Sequence, residues 1–212
     1  MIPKNKQIKS KEQLKEWLEY ELPRYDSKNI NKPIVQRVVN ILQLNQGSVL
    51  RKHQLLLRKA EYYNNTGKKL MSLLYHVRLS KFQNKHGIHI PINVCEKGLK
   101  LFHGGPIVIN GNASIGENCS IHMNTGIVAG GHNGDSPKIG KGVIIGIGSV
   151  LLGGISIGDY TAIGANSLVN KSFYETDIAI AGSPAKKISN NGAKTWNKPQ
   201  NYDNKIKELK EI

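Results

Sequence analysis

Three histidines carry the first hint of chemistry: His103 in Leu-Phe-His-Gly-Gly, His122, and His132 in Ala-Gly-Gly-His-Asn-Gly-Asp-Ser-Pro-Lys. An alcohol is a poor nucleophile at neutral pH, and imidazole, with an unperturbed pKa of about 6.5, is suited to take its proton. Gly104 and Gly105 after His103 would let backbone and substrate approach closely. A glycine-rich loop also supplies backbone N–H groups for a developing oxyanion. A second reading of His103 stays open, because it stands six residues before Ile109, where a six-residue aliphatic repeat begins, and would face inward as a core histidine if that repeat extends backwards. Pro106 and the paired glycines make the chain irregular there. His122 comes directly after an inward Ile121, so it is read as outward, either positioning a substrate or serving as an ordinary surface histidine.

These residues sit in a repeat of six. Every sixth position from 109 reads Ile109, Ile115, Ile121, Ile127, Asn133, Ile139, Ile145, Leu151, Ile157, Ile163 and Val169, aliphatic at all but Asn133. Glycine succeeds the aliphatic at 116, 140, 146, 158 and 164, and small or β-branched residues stand four positions on, as at Ala113, Cys119, Thr125, Ser149, Thr161 and Ser167. A chain that turns a corner every six residues points one side chain per face into a narrow interior, where only aliphatic groups stack without stranding polar atoms. Three faces make a coil of eighteen residues, each face a short parallel strand bonded to the coils above and below. The segment from Gly130 to Lys138 breaks the repeat at Asn133 and is expected to bulge outward, where binding residues gather.

Before Ile88 the period is helical: Leu14, Trp17, Leu18 and Leu22, then Ile34, Val38, Val39 and Leu42, then Val49 and Leu50 with Leu56 and Leu57 after them. Pro23, Pro33 and Asn45-Gln46-Gly47 divide these segments. The expected fold is therefore α+β: an α-helical unit over 1–87, a coil of hexapeptide repeats over 88–188 and a tail over 189–212. The formal charge of +15 is concentrated in the first segment, with 18 Lys or Arg against 6 Asp or Glu in 1–87 and 12 against 9 thereafter. Such a field suits an anionic partner such as nucleic acid, an acidic membrane surface, a phosphorylated cofactor or an acidic glycan.

The strip FHGGPIVINGNASIGENCSIHMNTGIVAGG, the run IGIGSVLLGGISIGDYTAIGANSLV and the ending AGSPAKKI together resemble the hexapeptide-repeat acyltransferases, left-handed parallel β-helices that form trimers. Within them the chain is similar to the serine acetyltransferase-like branch that accompanies exopolysaccharide and capsule assembly. The resemblance implies an acetyl-CoA-dependent O-acetyltransferase acting as a homotrimer, or as a hexamer through the helical segment, with His103 as general base and His122 beside it. It implies acetyl-CoA in the groove between protomers, with Gly130, Gly131, Gly148, Gly164 and Ala165 admitting its thin arm and Lys186 and Lys187 pairing its phosphates. Phe102, Gly104, Gly105 and His132 would then border the acceptor. Serine acetyltransferases place an aspartate before the catalytic histidine and a second histidine before the loop proline, and this chain has Phe102 and Ser136 there. Their acidic partner at the start of the β-helix is also missing, with Ile88 near that place. A sugar hydroxyl is thus the expected acceptor, with serine the alternative.

Other chemistry is less well supported. His86, His89 and Cys95 lack a fourth ligand at sensible spacing, so no metal is expected. The loop near 130 lacks the Gly-Lys-Ser/Thr of a phosphate-binding P-loop. The N-terminal residues MIPKNKQIKS carry no apolar signal core and no stretch reads as a membrane span, so a cytoplasmic protein is expected, with at most a peripheral contact to acidic membrane. The basic excess is dispersed lysine rather than a base-reading surface, so no nucleic acid is expected. A nucleic-acid-binding protein and a non-catalytic trimeric scaffold remain the alternatives from other classes.

Overall fold

The computed structural model describes residues 1–26, 32–131 and 134–194. Among the described residues four α-helices lead the chain: α1 (Lys11–Glu21), α2 (Pro33–Leu42), α3 (Gln46–Asn65) and α4 (Lys69–His86). Local sequence sets their ends. Ser10 and Gln13 close a capping box on α1, Asn45 and Ser48 do the same for α3, and α2 starts on Pro33. α4 stops at Gly87, which takes the left-handed conformation (φ 68°). α3 is central, packing against α1, α2 and α4.

A buried charge cluster fastens these helices to the first turns of the C-terminal unit. Arg58 on α3 is fully buried and donates to both carboxylate oxygens of Glu21 (3.0 and 2.9 Å) and to Glu61 (2.8 Å). Its remaining donors reach the carbonyl oxygens of Cys95 (2.9 Å) and Glu96 (2.8 Å), outside the helices. The carboxylates are satisfied in turn: Glu21 accepts from the Gly98 N–H (2.7 Å) and Glu61 from the Asn93 N–H (2.9 Å). Burial alone would lower the guanidinium's pKa, but Glu21 and Glu61 outweigh it and hold the group charged. His53, one turn earlier, is also buried, with Nε2 3.1 Å from the Gln83 amide nitrogen. Burial pushes its pKa down to about 3, helped by Arg58 and His86.

From Ile88 the chain winds as the left-handed parallel β-helix expected from the repeat. One face carries β1 (Ile88–His89), β3 (Ile107–Ile109), β6 (Thr125–Val128), β9 (Val150–Leu152) and β12 (Leu168–Val169). The second carries β4 (Ser114–Ile115), β7 (Lys138–Ile139) and β10 (Ser156–Ile157). The third carries β2 (Lys100–Phe102), β5 (Ser120–His122), β8 (Ile144–Ile145), β11 (Ala162–Ile163) and β13 (Ala179–Gly182), closed by antiparallel β14 (Ala185–Ser189). All ten aliphatics of the repeat are buried, none more than 5% exposed. The small residues at the turns are buried too, and their hydroxyls are satisfied: Thr125 donates to the His122 carbonyl (2.7 Å), Thr161 to Gly158 (2.8 Å) and Ser167 to Gly164 (2.7 Å), each three residues back, and Ser149 to Gly164 in the next coil (2.8 Å). Residues 195–212, including Trp196 and Pro199, lie outside the described residues.

Between Cys95 and Val169 the spacing departs from six in two places; beyond them Ile163 pairs with Ile180 seventeen residues on and Ile157 with Phe173 sixteen on. Leu101 pairs with Ile121 and Ile109 with Ile127, so the lower coil spends eight residues where the upper spends six. The two extra residues fall in the corner His103–Pro106. Leu101, only 1% exposed, takes the inward place, and His103 is thrown outward into solvent, which rules out the core histidine reached by extending the repeat backwards. The second departure is the twelve-residue step from Ile127 to Ile139, which holds the expected outward loop, pinched by the Gly130 N–H donating to the Asp135 carbonyl (3.0 Å).

Arg58→Ala strands two buried carboxylates and should cost about 3–5 kcal/mol in urea unfolding; a loss below about 1 kcal/mol would mean the cluster is not a fastening. His53 stays neutral in the fold but protonates in the unfolded chain below about pH 6.5. Its contribution is therefore full above that pH and lost as pH falls toward 3, at up to about 1.4 kcal/mol per unit. His53→Leu should flatten the measured slope of stability between about pH 6 and 4.

Candidate active site

The corner where the third face passes to the first is formed by residues 103–106, 122–125, 146–149 and 164–167 in successive coils, with the β13–β14 turn at 182–185 beyond the last of them. Backbone bonds stitch it together: the Gly148 N–H donates to the Met123 carbonyl (3.2 Å) and the Asn166 N–H to that of Ile147 (2.8 Å), while the Gly182 N–H reaches the Ser167 hydroxyl (3.2 Å). These corners make one edge of the prism, about 14 Å long over three coil spacings of about 4.8 Å.

His103 and His122 share the lower end of that edge. Their rings lie 6.3 Å apart, centroid to centroid, at 47°. His103 is exposed and holds a left-handed backbone (φ 63°), uncommon for a residue with a side chain and typical of constrained positions. His122 is half-buried because Phe102, its neighbour across the parallel pair β2–β5, stacks flat on it at 4.6 Å and 10°. The Lys100 ammonium lies 4.4 Å from the centroid of the same Phe102 ring. Burial lowers the His122 pKa, and the nearby His103 lowers it further, so the neutral base is favoured. Among the described residues no ion pair joins either imidazole to a carboxylate. Gly105 abuts Met123, where an added Cβ would stand 3.0 Å from the methionine Cβ.

The other candidates divide between two edges. Gly148, Gly164 and Ala165 lie on the histidine edge, and the first two are needed by the coil itself. A Cβ on Gly148 (φ 74°) would meet the Asn166 amide oxygen at 2.1 Å, and one on Gly164 would meet the Ala181 Cβ at 2.8 Å. Lys186 and Lys187 are exposed on β14, just past the upper end, with Lys187 paired to Glu175. Gly130 and Gly131 belong to the outward loop on a different edge, where Gly130 approaches Gly153. One chain therefore does not bring the two glycine sets together. His132 lies outside the described residues. Ser136 is buried, its hydroxyl on Asn110 Oδ1 (2.9 Å). Sequence reasoning missed the Lys100–Phe102–His122 stack, although the eight-residue step from Leu101 to Ile109 was there to be counted. No group of three or more His, Cys, Asp or Glu side chains among the described residues is placed to hold a metal.

Residues 136–171, within this coil, match the family described as bacterial transferase hexapeptide (six repeats). Serine acetyltransferases are homologues of the chain. It is 35% identical over 142 residues to the serine acetyltransferase of Buchnera aphidicola subsp. Acyrthosiphon pisum, covering 66% of this chain and 51% of that protein. It is 39% identical over 129 residues to serine acetyltransferase 2 of Arabidopsis thaliana, covering 58% and 38%. The chain thus spans about half, or less, of these relatives. Among solved structures it is similar to Neisseria gonorrhoeae serine acetyltransferase in complex with serine, at TM-score 0.57 and 25% identity over 85% of this chain and 71% of that one. It also shares its fold with the Brucella abortus enzyme in complex with coenzyme A, at TM-score 0.60 and 23% identity over 86% and 70%.

Removing the ring that shields His122 should return its imidazole toward the ordinary range. In Phe102→Ala, an NMR titration of His122 should give a higher pKa than in the wild type. An unchanged or lower value would mean that the stack is not what buries it.

Proposed function

We propose that the chain is an acetyl-CoA-dependent O-acetyltransferase in which His103 is the general base. The observation that carries this reading is the outward imidazole pair at one end of a continuous corner whose turns are rich in glycine, alanine and serine and whose far end opens onto Lys186 and Lys187. The relatives named as serine acetyltransferases, one of them solved with coenzyme A, support the same chemistry. His103 takes the proton of the acceptor hydroxyl as its oxygen attacks the thioester carbon, and then returns that proton to the departing sulfur. A backbone N–H facing the carbonyl oxygen would stabilise the charge that develops there. His122, held neutral beneath Phe102, orders the acceptor side of the corner. In this reading residues 1–87 form the helical unit, 88–188 the acyl-transfer unit and 189–212 the tail. The protein works as a trimer, which would set the Gly130–Gly131 edge of one protomer against the histidine edge of the next.

The relatives favour L-serine as the acceptor. A second acceptor, a sugar hydroxyl of a polysaccharide under assembly, is favoured by the site itself: an aromatic ring at 102 in place of a carboxylate, and a serine at 136 turned onto Asn110. A thiol-release assay with acetyl-CoA and a panel of serine and sugars separates the two by which acceptor raises the rate. With the better acceptor, His103→Ala should lower kcat/KM by about 10²–10⁴-fold without loss of folding. A loss under about tenfold dismisses His103 as the base.

A further inference from the structure

The segment 27–95 contains twelve Lys or Arg and a single acidic residue, Glu61, which is buried on Arg58. α4 carries no acidic residue at all, so the surface it shows to solvent is cationic. It is also greasy. α4 packs its Leu79 and Gln83 side inward and turns a stripe of Leu70, Leu73, Leu74 and Val77 outward, 81, 65, 38 and 44% exposed. The spacing i, i+3, i+4, i+7 is one helical face. Arg78, Lys81 and Lys85, all exposed, continue and flank that face toward the helix C-terminus. α2 repeats the pattern: Ile34, Val38, Ile41 and Leu42 are 45–79% exposed, with exposed Arg37 beside them.

We propose that this α4 face docks on an anionic lipid bilayer. Leucine and valine side chains flanked by lysine and arginine are what an interfacial helix presents, the apolar stripe entering the headgroup boundary and the cations meeting acidic headgroups. Charge decides between occupants. A second copy docking face to face would set one acid-free cationic surface against another. Nucleic acid would neutralise the lysines and leave the leucines in water. An anionic bilayer satisfies both components. The stripe Leu70–Val77 includes no residue of the His103 corner, so the inference does not depend on the acyl-transfer reading, and His103→Ala should bind vesicles as the wild type does.

The test is co-sedimentation of the full chain with vesicles of phosphatidylcholine alone and of phosphatidylcholine mixed with phosphatidylglycerol. Binding should be at least about tenfold tighter to the anionic vesicles and fall by about tenfold or more between about 0.1 and 1 M salt. Leu73→Glu combined with Val77→Glu should lower anionic-vesicle binding about tenfold or more at an unchanged melting temperature. Lys81→Glu with Lys85→Glu, which leaves the stripe intact, should abolish the preference for anionic lipid. Equal binding to both vesicle types, or insensitivity to both variant pairs, overturns the proposal. So does a fall in solution mass in the Leu73→Glu, Val77→Glu protein, which would assign the face to a second copy. Displacement from vesicles by RNA with affinity unaltered in that variant would assign it to nucleic acid.

Discussion

The prism interior admits one branched aliphatic side chain per face in each coil, and everything outside it is positioned by that restriction. Ile121, Ile145 and Ile163 stack on the third face, Ile127, Leu151 and Val169 on the first, and each pair fixes where the intervening corner falls. A corner displaced by even one residue would swap inward for outward side chains along the strands beyond it. Between Cys95 and Val169 the chain changes its spacing at two places, by two residues at His103–Pro106 and by six in the loop before Ile139. Both adjustments lie where chemistry is expected, and both leave the aliphatic stack intact. Residues that the stack does not need are the ones free to act.

Attachment of the helices adds a second restriction. Arg58 reaches from α3 into carbonyl groups at Cys95 and Glu96, where the first coil begins, and Glu21 on α1 is held by the same guanidinium. The Tyr25 hydroxyl accepts from the Leu101 N–H (3.0 Å), a second tie directly beside Phe102 and His103. The strand that presents the imidazole is thus anchored from the helical side as well as by its neighbour β5. A buried ionic cluster of this kind is costly to break and specific in geometry, and it gives the basic helices a defined orientation to the coil.

Much of this was legible in the sequence. The aliphatic period and the glycine next to it favour the coil over a sandwich of short strands, which would need irregular spacing and hairpin turns. Helix boundaries were marked by Pro33 and by Asn45-Gln46-Gly47. His103 was legible as a residue type but not as an orientation: whether it faces in or out depends on the pairing of Leu101 with Ile121, a contact between distant positions that local pattern does not encode. The stack of Phe102 on His122 arises from the same long-range pairing. The two glycine sets looked alike in sequence, and only the winding of the coil separates Gly130 and Gly131 onto one edge and Gly148, Gly164 and Ala165 onto another. Arg58 was hidden among many lysines and arginines, since nothing in its neighbourhood marks one basic residue as buried.

The edge running from His103 to Lys186 is the centre of the functional reading, and a crystal structure with coenzyme A bound examines it directly. The coenzyme should lie along the corners at Gly148 and Ala165, its thiol close enough to His103 for a hydroxyl to bridge the two at hydrogen-bond distances of about 3 Å, and its phosphates toward Lys186 and Lys187. A coenzyme seated on another face, or with its thiol at the end remote from His103, would contradict the assignment.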